Sequence, residues 1–194
     1  MSATYLIADP HFFHASPDRP DGIIRMCSRP FANGAEMNAT MAANWRAVVR
    51  PNDDVFVVGD FAHRADPDEL RKLFDFLPGR KHLIIGNHDD GLATRALPWE
   101  SIRDVAYVSI ESTFCTLAHF AWRTWPRIRR GGLMLYGHSH GRLPGNNQSC
   151  DIGVDVLGFV PVRLNQIKAH LATLPPLIDP EGADDLGADP PKPK

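Results

Sequence analysis

The sequence predicts an α/β layered fold. Three observations support this prediction: short apolar runs bounded by Gly, Asn and Asp, helical patterns between several of these runs, and a chain of 194 residues whose 43% hydrophobic content suffices for one continuous core. Runs that are apolar throughout are typical of strands buried on both faces. Because strands and helices alternate along the chain, a layered α/β arrangement is expected.

Seven segments are predicted to be strands. They are 4–9 (TYLIAD), 54–60 (DVFVVGD), 82–87 (HLIIGN), 104–110 (DVAYVSI), 114–119 (FCTLAH), 133–138 (LMLYGH) and 151–156 (DIGVDV). Only the short segment EST separates the fourth from the fifth, which predicts an antiparallel hairpin.

Three helices are predicted, at 36–49, 67–77 and 163–174. In the first, Met37, Met41 and Trp45 form one apolar stripe, for which core packing is the favoured interpretation. The second begins with Pro67 and acidic residues, and it stops before the Pro-Gly pair at 78–79. Residues 175–194 are dense in Pro, Gly, Asp and Lys, so we expect one domain over 1–174 and a mobile tail over 175–194.

Composition limits the possible partners. The formal net charge of -2 and the pI near 6.5 give no global electrostatic case for nucleic acid or an anionic membrane as the main partner. No apolar run approaches the roughly 20 residues of a transmembrane helix, and the N-terminal segment lacks signal-peptide features, so a cytoplasmic location is expected. The three cysteines form no C-x-x-C pair and are interpreted as small buried hydrophobic residues.

Polar side chains follow five of the predicted strands, at the point where each strand ends. They are Asp9, His11, Asp60, Asn87, His119, His138 and His140. Because the carboxyl ends of strands in an open α/β sheet share one edge, we expect these side chains to meet. Taken singly, each is more often an ordinary strand-end residue than a ligand. Recurrence at five strand ends is much harder to obtain by chance, and it favours a metal site.

The chemistry of these side chains predicts two divalent metal ions. Imidazole, carboxylate and one amide, without thiolate, suit manganese first, with iron(II) or zinc as alternatives. Seven ligands exceed what one ion uses, whereas with one bridging carboxylate each of two ions receives four protein ligands and keeps room for water. A glycine precedes Asp60, Asn87 and His138, and glycine lets the chain turn sharply off a strand.

Five blocks in a fixed order resemble the calcineurin-like metallophosphoesterase superfamily. The matching segments are DPH (9–11), GD (59–60), GNHD (86–89), LAHF around His119 and GHSH (137–140). DPHFFH, RPFANGAEMNATMAANW and GDFAHR further resemble its small predicted bacterial and phage branch. The resemblance implies two mixed β-sheets packed as a sandwich flanked by α-helices, in four layers (α/β/β/α). It also implies the ligand sets: Asp9, His11 and His140 for one ion, Asn87, His119 and His138 for the other, and Asp60 bridging the two.

The same resemblance implies a phosphoesterase. Because the sequence shows no separate cap domain, we expect an open, shallow site, which favours phosphodiesters or nucleotides as substrates. Two ions lower the pKa of a bridging water toward neutrality, so hydroxide is the expected nucleophile. This accounts for the lack of a G-x-S-x-G or Cys-x5-Arg motif. His88 is expected to protonate the leaving group and Asp89 to orient the His88 ring, while Asp90 is interpreted as part of a solvated turn.

Five more side chains are candidates for substrate contact: His14, Arg29, His63, Arg64 and Arg123. His14 and His63 each lie three residues beyond an expected ligand, and either a pocket position or an exposed loop position remains open for them. The arginines could bind phosphate, and the alternative is a solvated basic loop. Arg123 begins a basic stretch at 123–130. In the alternative interpretation, the two tryptophans in this part of the chain pack beneath that loop.

Several alternative functions remain open. One is a phosphomonoesterase or nucleotide pyrophosphatase of the same fold, and another is a non-catalytic scaffold of that fold that only binds. A dinuclear hydrolase of the lactamase type is disfavoured because its H-x-H-x-D-H block is absent. A phosphoprotein substrate is disfavoured because GDFAHRA replaces the GDxxDRG of protein phosphatases. Nucleic acid is expected only as a substrate, no membrane partner is expected, and the sequence does not specify an oligomeric state.

Overall fold

The computed structural model describes residues 2–15, 22–89 and 91–178. Within these residues the strands are β1 (Thr4–Ile7), β2 (Asp54–Val58), β3 (Arg80–Ile84), β4 (Ser101–Arg103), β5 (Val105–Ile110), β6 (Thr113–Ala118), β7 (Leu133–Tyr136), β8 (Ser149–Asp151) and β9 (Val162–Arg163). The helices are α1 (Gly22–Met26), α2 (Gly34–Val48), α3 (Pro67–Phe76), α4 (Leu92–Arg95), α5 (Val154–Leu157) and α6 (Leu164–Leu171), with a 3-10 turn at Ile128–Arg130. None of these helices is long and apolar enough to cross a membrane.

The strands form two mixed sheets. The first has the order β4-β3-β2-β1-β9, in which β1 to β4 run parallel and β9 runs antiparallel to β1. The second has the order β5-β6-β7-β8, with one antiparallel pair, β5 and β6, and parallel pairing from β6 to β8. The predicted hairpin is therefore confirmed. Its turn residues Glu111 and Ser112 have φ values of 47° and 66°, as tight hairpin turns require.

The two sheets pack face to face across an apolar core. Leu6 of β1 and Val58 of β2 meet Leu117 of β6 and Leu135 of β7 there, and Ile167 of α6 closes one side of this core. All five side chains are buried. The arrangement is the α/β sandwich of two mixed sheets that the resemblance implied.

Helices α2 and α3 cover the outer face of the first sheet. The predicted stripe of Met37, Met41 and Trp45 is at most 1% exposed and packs in this second core with Phe74 of α3. The N-terminus of α3 is capped by the Asp66 side chain, which accepts hydrogen bonds from the next turn, and Pro67 occupies the position where a missing N–H costs nothing.

A loop covers the outer face of the second sheet. Trp125 and Ile128, which lie at the 3-10 turn, pack there against Met134 and Tyr136 of β7, and the Trp125 indole donates to Gly132 O at 2.7 Å. Trp125 thus packs beneath the basic loop, as the alternative interpretation of a solvated loop expected.

Three predictions need correction. The segment 151–156 is not one strand: β8 ends at Asp151, and α5 begins at Val154, because Ile152 and Gly153 turn the chain toward β1. The tail does not begin at residue 175, since Pro175 O accepts from Asn147 N and Leu177 packs on the loop-covered core; residues 179–194 lie outside the described part. Cys115 and Cys150 are buried as expected, but Cys27 is only half-buried.

Candidate metal centre

The carboxyl ends of β1, β2 and β3 in the first sheet meet those of β6 and β7 in the second. Backbone hydrogen bonds tie their loops together: Asp9 N donates to Gly59 O, His11 N to Asp60 O, and Gly137 N to His119 O. The His138 N–H also donates to the Asp9 carboxylate at 2.8 Å, which joins the two sheets directly. The expected convergence of strand ends therefore occurs across both sheets.

The predicted ligands form two groups of side chains at this edge. In each group one ligand atom of every residue lies within 4.8 Å of the others. The groups are Asp9, His11 and His140, and Asp60, His119 and His138. His88, which was not predicted as a ligand, forms a further group of this kind with His11 and Asp60. The first group has the same residues as one predicted ligand set, and the second contains Asp60 together with two residues of the other set, His119 and His138.

Asp60 belongs to the second group but also lies close to a histidine of the first group. Its Oδ2 is 3.4 Å from Nε2 of His11 and 3.5 Å from Nε2 of His119, so one oxygen faces a ligand of each set. Its Oδ1 accepts the His88 N–H at 2.8 Å, which fixes the orientation of the carboxylate. Asp60 is 1% exposed, so this carboxylate is shielded from solvent.

Asn87 completes the second group. Its Oδ1 is 2.9 Å from both His119 Nε2 and His138 Nδ1. Nδ1 of His119 faces Val58 O at 3.2 Å, and burial lowers the pKa of this imidazole, so the neutral ring carries its single proton on Nδ1. His119 Nε2 and the Asn87 oxygen then present lone pairs to each other, an arrangement that a shared cation stabilises.

The first group contains buried polar atoms without hydrogen-bond partners. Asp9 Oδ1 and both ring nitrogens of His11 are inaccessible and make no hydrogen bond, although His11 Nε2 lies 3.4 Å from the Asp60 carboxylate. Such orphan atoms are costly in a folded protein unless a ligand satisfies them. Burial raises the pKa of Asp9 well above its usual value, and the nearby carboxylates of Asp151 and Asp60 raise it further. Burial also lowers the pKa of His11, which leaves a neutral imidazole with a free lone pair. The donor set therefore fits divalent cations.

Five of the seven candidate ligands have a left-handed backbone. The φ values are 54° for Asp9, 51° for His11, 56° for Asp60, 65° for His138 and 48° for His140. In non-glycine residues this conformation costs about 1–3 kcal/mol each and concentrates at functional sites. It turns the side chain off the strand end into the shared edge, so the convergence is built into the backbone.

The glycines that precede Asp60, Asn87 and His138 serve close packing more than turning. Gly59 has a φ of 87°, as predicted for a sharp turn, and a Cβ there would overlap the His119 ring. A Cβ on Gly86 would overlap the Asp60 carboxylate, and one on Gly137 would lie 2.6 Å from Asp9 Oδ2. Each glycine makes room for a ligand that comes from a different strand.

Asp155 is a site residue that sequence reasoning missed. Its Oδ2 accepts a 2.8 Å hydrogen bond from Nδ1 of His140, which leaves His140 Nε2 free to bind a metal. Burial opposes ionisation of Asp155, but the hydrogen bonds from His140 and Arg29 hold its pKa below the usual value. Cys27 lies near this pair, but burial raises the pKa of its thiol and disfavours a thiolate ligand.

Arg29 is not available to a substrate, contrary to expectation. Its side chain is buried, with Nε and Nη2 each 2.8 Å from the Asp155 carboxylate and further bonds to the carbonyls of Asp9 and Pro10. The guanidinium instead connects Asp155 to the loop that carries the first ligands. Such bidentate, charge-assisted bonds are geometrically specific.

His88 lies beside the first ligand group, within a cluster of imidazoles. Its ring centroid is 5.2 Å from that of His11, 4.6 Å from His63 and 5.6 Å from His14. The ring centroids of His14 and His63 are 4.2 Å apart, and both residues are half-buried. His63 lines the cavity next to His88, whereas His14 contacts these rings without lining that cavity. Burial, with the nearby rings of His63 and His88, lowers the pKa of His14 to about 4.

Asp89 does not orient the His88 ring, contrary to prediction. Its buried carboxylate accepts hydrogen bonds from the backbone N–H groups of Asp60, Phe61 and Gly86, at 2.7 to 3.0 Å. Burial raises its pKa to about 7. Asp89 thus holds the loops after β2 and β3 together. The expected turn residue Asp90 lies outside the described residues.

The remaining arginines differ in position. Arg64 is exposed and lines a cavity next to His88. Arg123 is exposed in the loop after β6 and lines neither of the two cavities beside Asn87. Further along that loop, Arg127 lies over the Phe114 ring at 4.4 Å, near the start of β6 and therefore at the end opposite to His119. Arg127 therefore does not face the metal centre.

Comparison with known proteins agrees with this geometry. The model of the calcineurin-like phosphoesterase family matches residues 4–148, about three quarters of the chain. The chain belongs to the calcineurin-like phosphoesterases. This family is metal-dependent and acts on phosphate esters, so the chain is a calcineurin-like phosphoesterase with candidate metal ligands in place.

Relatives of this calcineurin-like phosphoesterase occur in an archaeon and in a phage. It is 31% identical to an uncharacterised protein of Methanocaldococcus jannaschii over 176 residues, covering 86% of this chain and 90% of that one. It is 34% identical to the gene 66 protein of Mycobacterium phage L5 over 197 residues, covering 84% and 91%. A crystal structure of a protein of unknown function from Aquifex aeolicus shares the fold, with a TM-score of 0.66, 21% identity and coverage of 88% and 100%.

Proposed function

We propose that this protein is a dinuclear metal-dependent phosphoesterase that hydrolyses phosphodiesters or nucleotides. The observation that supports the proposal most is the position of Asp60, whose Oδ2 lies within 3.5 Å of a histidine from each ligand group. A single-ion site would not need one buried carboxylate oxygen within reach of histidines from two separate groups. The proposed ligands are Asp9, His11 and His140 for one ion, Asn87, His119 and His138 for the other, and Asp60 for both.

When bound, two divalent cations supply a hydroxide nucleophile at neutral pH and neutralise charge on the phosphoryl group. Manganese is the proposed metal, because nitrogen and oxygen donors without thiolate accept it readily. The chain holds the donors ready through Asp155, which fixes the proton of His140 on Nδ1, and through Val58 O, which does the same for His119. Both imidazoles therefore offer Nε2 to the site.

His88 is proposed to donate a proton to the leaving group. Its backbone N–H is held by Asp60 Oδ1 at 2.8 Å, so the residue is fixed to the bridging carboxylate while its half-buried ring remains beside the first ligand group. It belongs to neither of the two proposed ligand sets. A positioned acid next to the expelled oxygen typically contributes about 100- to 10,000-fold to the rate.

Hydrolysis of bis-p-nitrophenyl phosphate and of p-nitrophenyl phosphate by the manganese-loaded protein tests the proposal. We expect release of p-nitrophenol from the diester, its loss in His140→Gln, and its retention in His170→Gln, a matched change of a histidine in α6 outside the site. The ratio of the two rates separates a diesterase from the monoesterase alternative. No hydrolysis of either ester with manganese, iron(II) or zinc would favour a non-catalytic scaffold.

A further inference from the structure

A large aromatic side chain is exposed directly beside the metal centre. Phe120 follows the candidate ligand His119, and it is 51% exposed. Its ring centroid lies 4.5 Å from that of His138 and 5.1 Å from that of His119. Most large aromatic side chains of the described residues are packed in a core, so an exposed ring against two ligand imidazoles is available to a bound molecule.

Phe120 lines a cavity of about 330 Å³, here called the Phe120 cavity. The half-buried Trp122 adds a second aromatic wall, and Asn87 and His119 connect the cavity to the metal centre. Asp104 is its one residue with an ordinarily ionised side chain among those described. Aromatic walls with an acidic residue favour a flat, uncharged ring that can donate hydrogen bonds, and they disfavour a second phosphate.

A second cavity of about 380 Å³, here called the His88 cavity, also borders Asn87. It is lined by His88, His63, Arg64 and Thr94, with Ala62, Ala65, Leu70 and Ala93 as its apolar part. The linings of the two cavities have only Asn87 in common. A phosphate held at the metal centre therefore has two separate cavities nearby for substituents, and a diester has two substituents where a simple monoester has one.

We infer that the substrate is a nucleoside phosphodiester whose base packs on Phe120 and whose leaving group occupies the His88 cavity. The inference rests on the proposed function and adds the orientation of the substrate. The oxygen of water forms one new P–O bond, and the P–O bond on the His88 side breaks, with the expelled oxygen taking a proton from His88. One proton of the water stays with the monophosphate, and the other passes to solvent, from which His88 is reprotonated. The nucleoside monophosphate stays on the Phe120 side until it dissociates.

Two esters that share a leaving group test this inference. The p-nitrophenyl ester of thymidine 5′-monophosphate and methyl p-nitrophenyl phosphate both release p-nitrophenol, and they differ only in the group retained on phosphorus. Because stacking of a base on an aromatic side chain changes affinity by about 5- to 150-fold, we expect kcat/KM to favour the thymidine ester by a factor in this range. Phe120→Ala should reduce that preference at least 5-fold, mainly through KM, and Phe120→Trp should restore it.

A binding measurement complements the kinetics. Isothermal titration with thymidine 5′-monophosphate should show weaker binding to Phe120→Ala than to the wild-type chain, whereas methyl phosphate should not distinguish the two. The matched control is Phe76→Ala, which removes an aromatic side chain of similar exposure, 53%, from the end of α3. This control should keep the thymidine preference unchanged.

The outcomes separate this inference from the proposed function. Hydrolysis of neither ester with any of the three metals would contradict both. Hydrolysis of both esters without a thymidine preference, or with a preference that survives Phe120→Ala, would overturn the base site alone. A preference lost equally in Phe76→Ala would show a general effect of removing an aromatic side chain, and it would also overturn the assignment.

Discussion

Nδ1 of His140 donates a 2.8 Å hydrogen bond to Oδ2 of Asp155, and the same carboxylate receives two bonds from the buried guanidinium of Arg29. Arg29 in turn donates to the carbonyl oxygens of Asp9 and Pro10. This chain of contacts joins the end of β1 to the GHSH block. The two segments are far apart in the sequence, since Asp9 and His138 are separated by 129 positions. The chain of contacts fixes His140 relative to the other ligands of its group before any cation binds.

Replacing Asp155 by Asn should weaken metal binding in the first group selectively. A carboxylate that holds a ligand histidine typically affects metal affinity by about 10- to 100-fold. Chelator competition followed by metal analysis should show this loss for one ion per chain and little change for the other. Asp75→Asn, which alters an exposed ion pair with Arg71, is the control. Equal weakening of both ions would mean that Asp155 supports the fold generally and not His140.

Removing the His88 imidazole should lower turnover without removing metal. In His88→Ala we expect kcat to fall by about 100- to 10,000-fold, the usual contribution of a general acid, with metal content unchanged. Steady-state kinetics and metal analysis of the same sample measure both quantities, and His170→Ala serves as the control. If the variant loses an ion, His88 is a ligand and the proposed acid must be sought elsewhere.

Replacing Asp89 should lower the stability of the fold, whereas replacing His88 should lower turnover. Asp89→Ala leaves the buried N–H groups of Asp60, Phe61 and Gly86 without their acceptor, at a cost of roughly 1–3 kcal/mol for each. We therefore expect the free energy of unfolding to fall by about 3 kcal/mol or more in urea titrations. A normal free energy of unfolding combined with a loss of kcat like that of His88→Ala would restore the predicted orienting role.

Two truncations test what residues 175–178 contribute to stability. A chain ending at residue 178 keeps the hydrogen bond from Leu177 N to Asn147 Oδ1 and the packing of Leu177, and it is the reference for the shorter chain. A chain ending at residue 174 loses both, together with the bond to Pro175 O, and should be less stable by about 1–3 kcal/mol. Equal stability of the two chains would show that residues 175–178 contribute nothing.

The sequence predicted the strand ends well because their signal is local. An apolar run, then Gly, then a polar residue is recognisable in the sequence at Asp60, Asn87 and His138. The structure brings these side chains together. The strands β4 and β9 were missed because they have three and two residues and carry little apolar pattern. The strand prediction for 151–156 failed because periodicity does not distinguish a short apolar strand from a turn of helix.

Residues that act through other residues were harder to predict. Asp155 and Arg29 support the site through contacts between chain segments 126 residues apart, and no local motif announces such a pair. Asp89 was correctly placed at the site but given the wrong contact, since sequence adjacency suggested His88 whereas the carboxylate turns to the backbone. Phe120 carried a usable signal, an aromatic residue directly after a ligand, that could have drawn attention to it.

The bridging role of Asp60 makes a further prediction. Asp60→Asn should reduce metal content from about two ions per chain to fewer than one, because the neutral amide cannot offset the charge of two cations. Metal analysis after gel filtration measures this, with Asp75→Asn again as the control. Retention of one tightly bound ion would assign Asp60 to a single group.

Anomalous diffraction from crystals grown in manganese tests the central claim most directly. The account predicts two manganese peaks at the shared strand edge, one contacted by Asp9, His11 and His140 and the other by Asn87, His119 and His138, with the Asp60 carboxylate touching both. A single peak, no peak, or two peaks of which only one contacts Asp60 would contradict it.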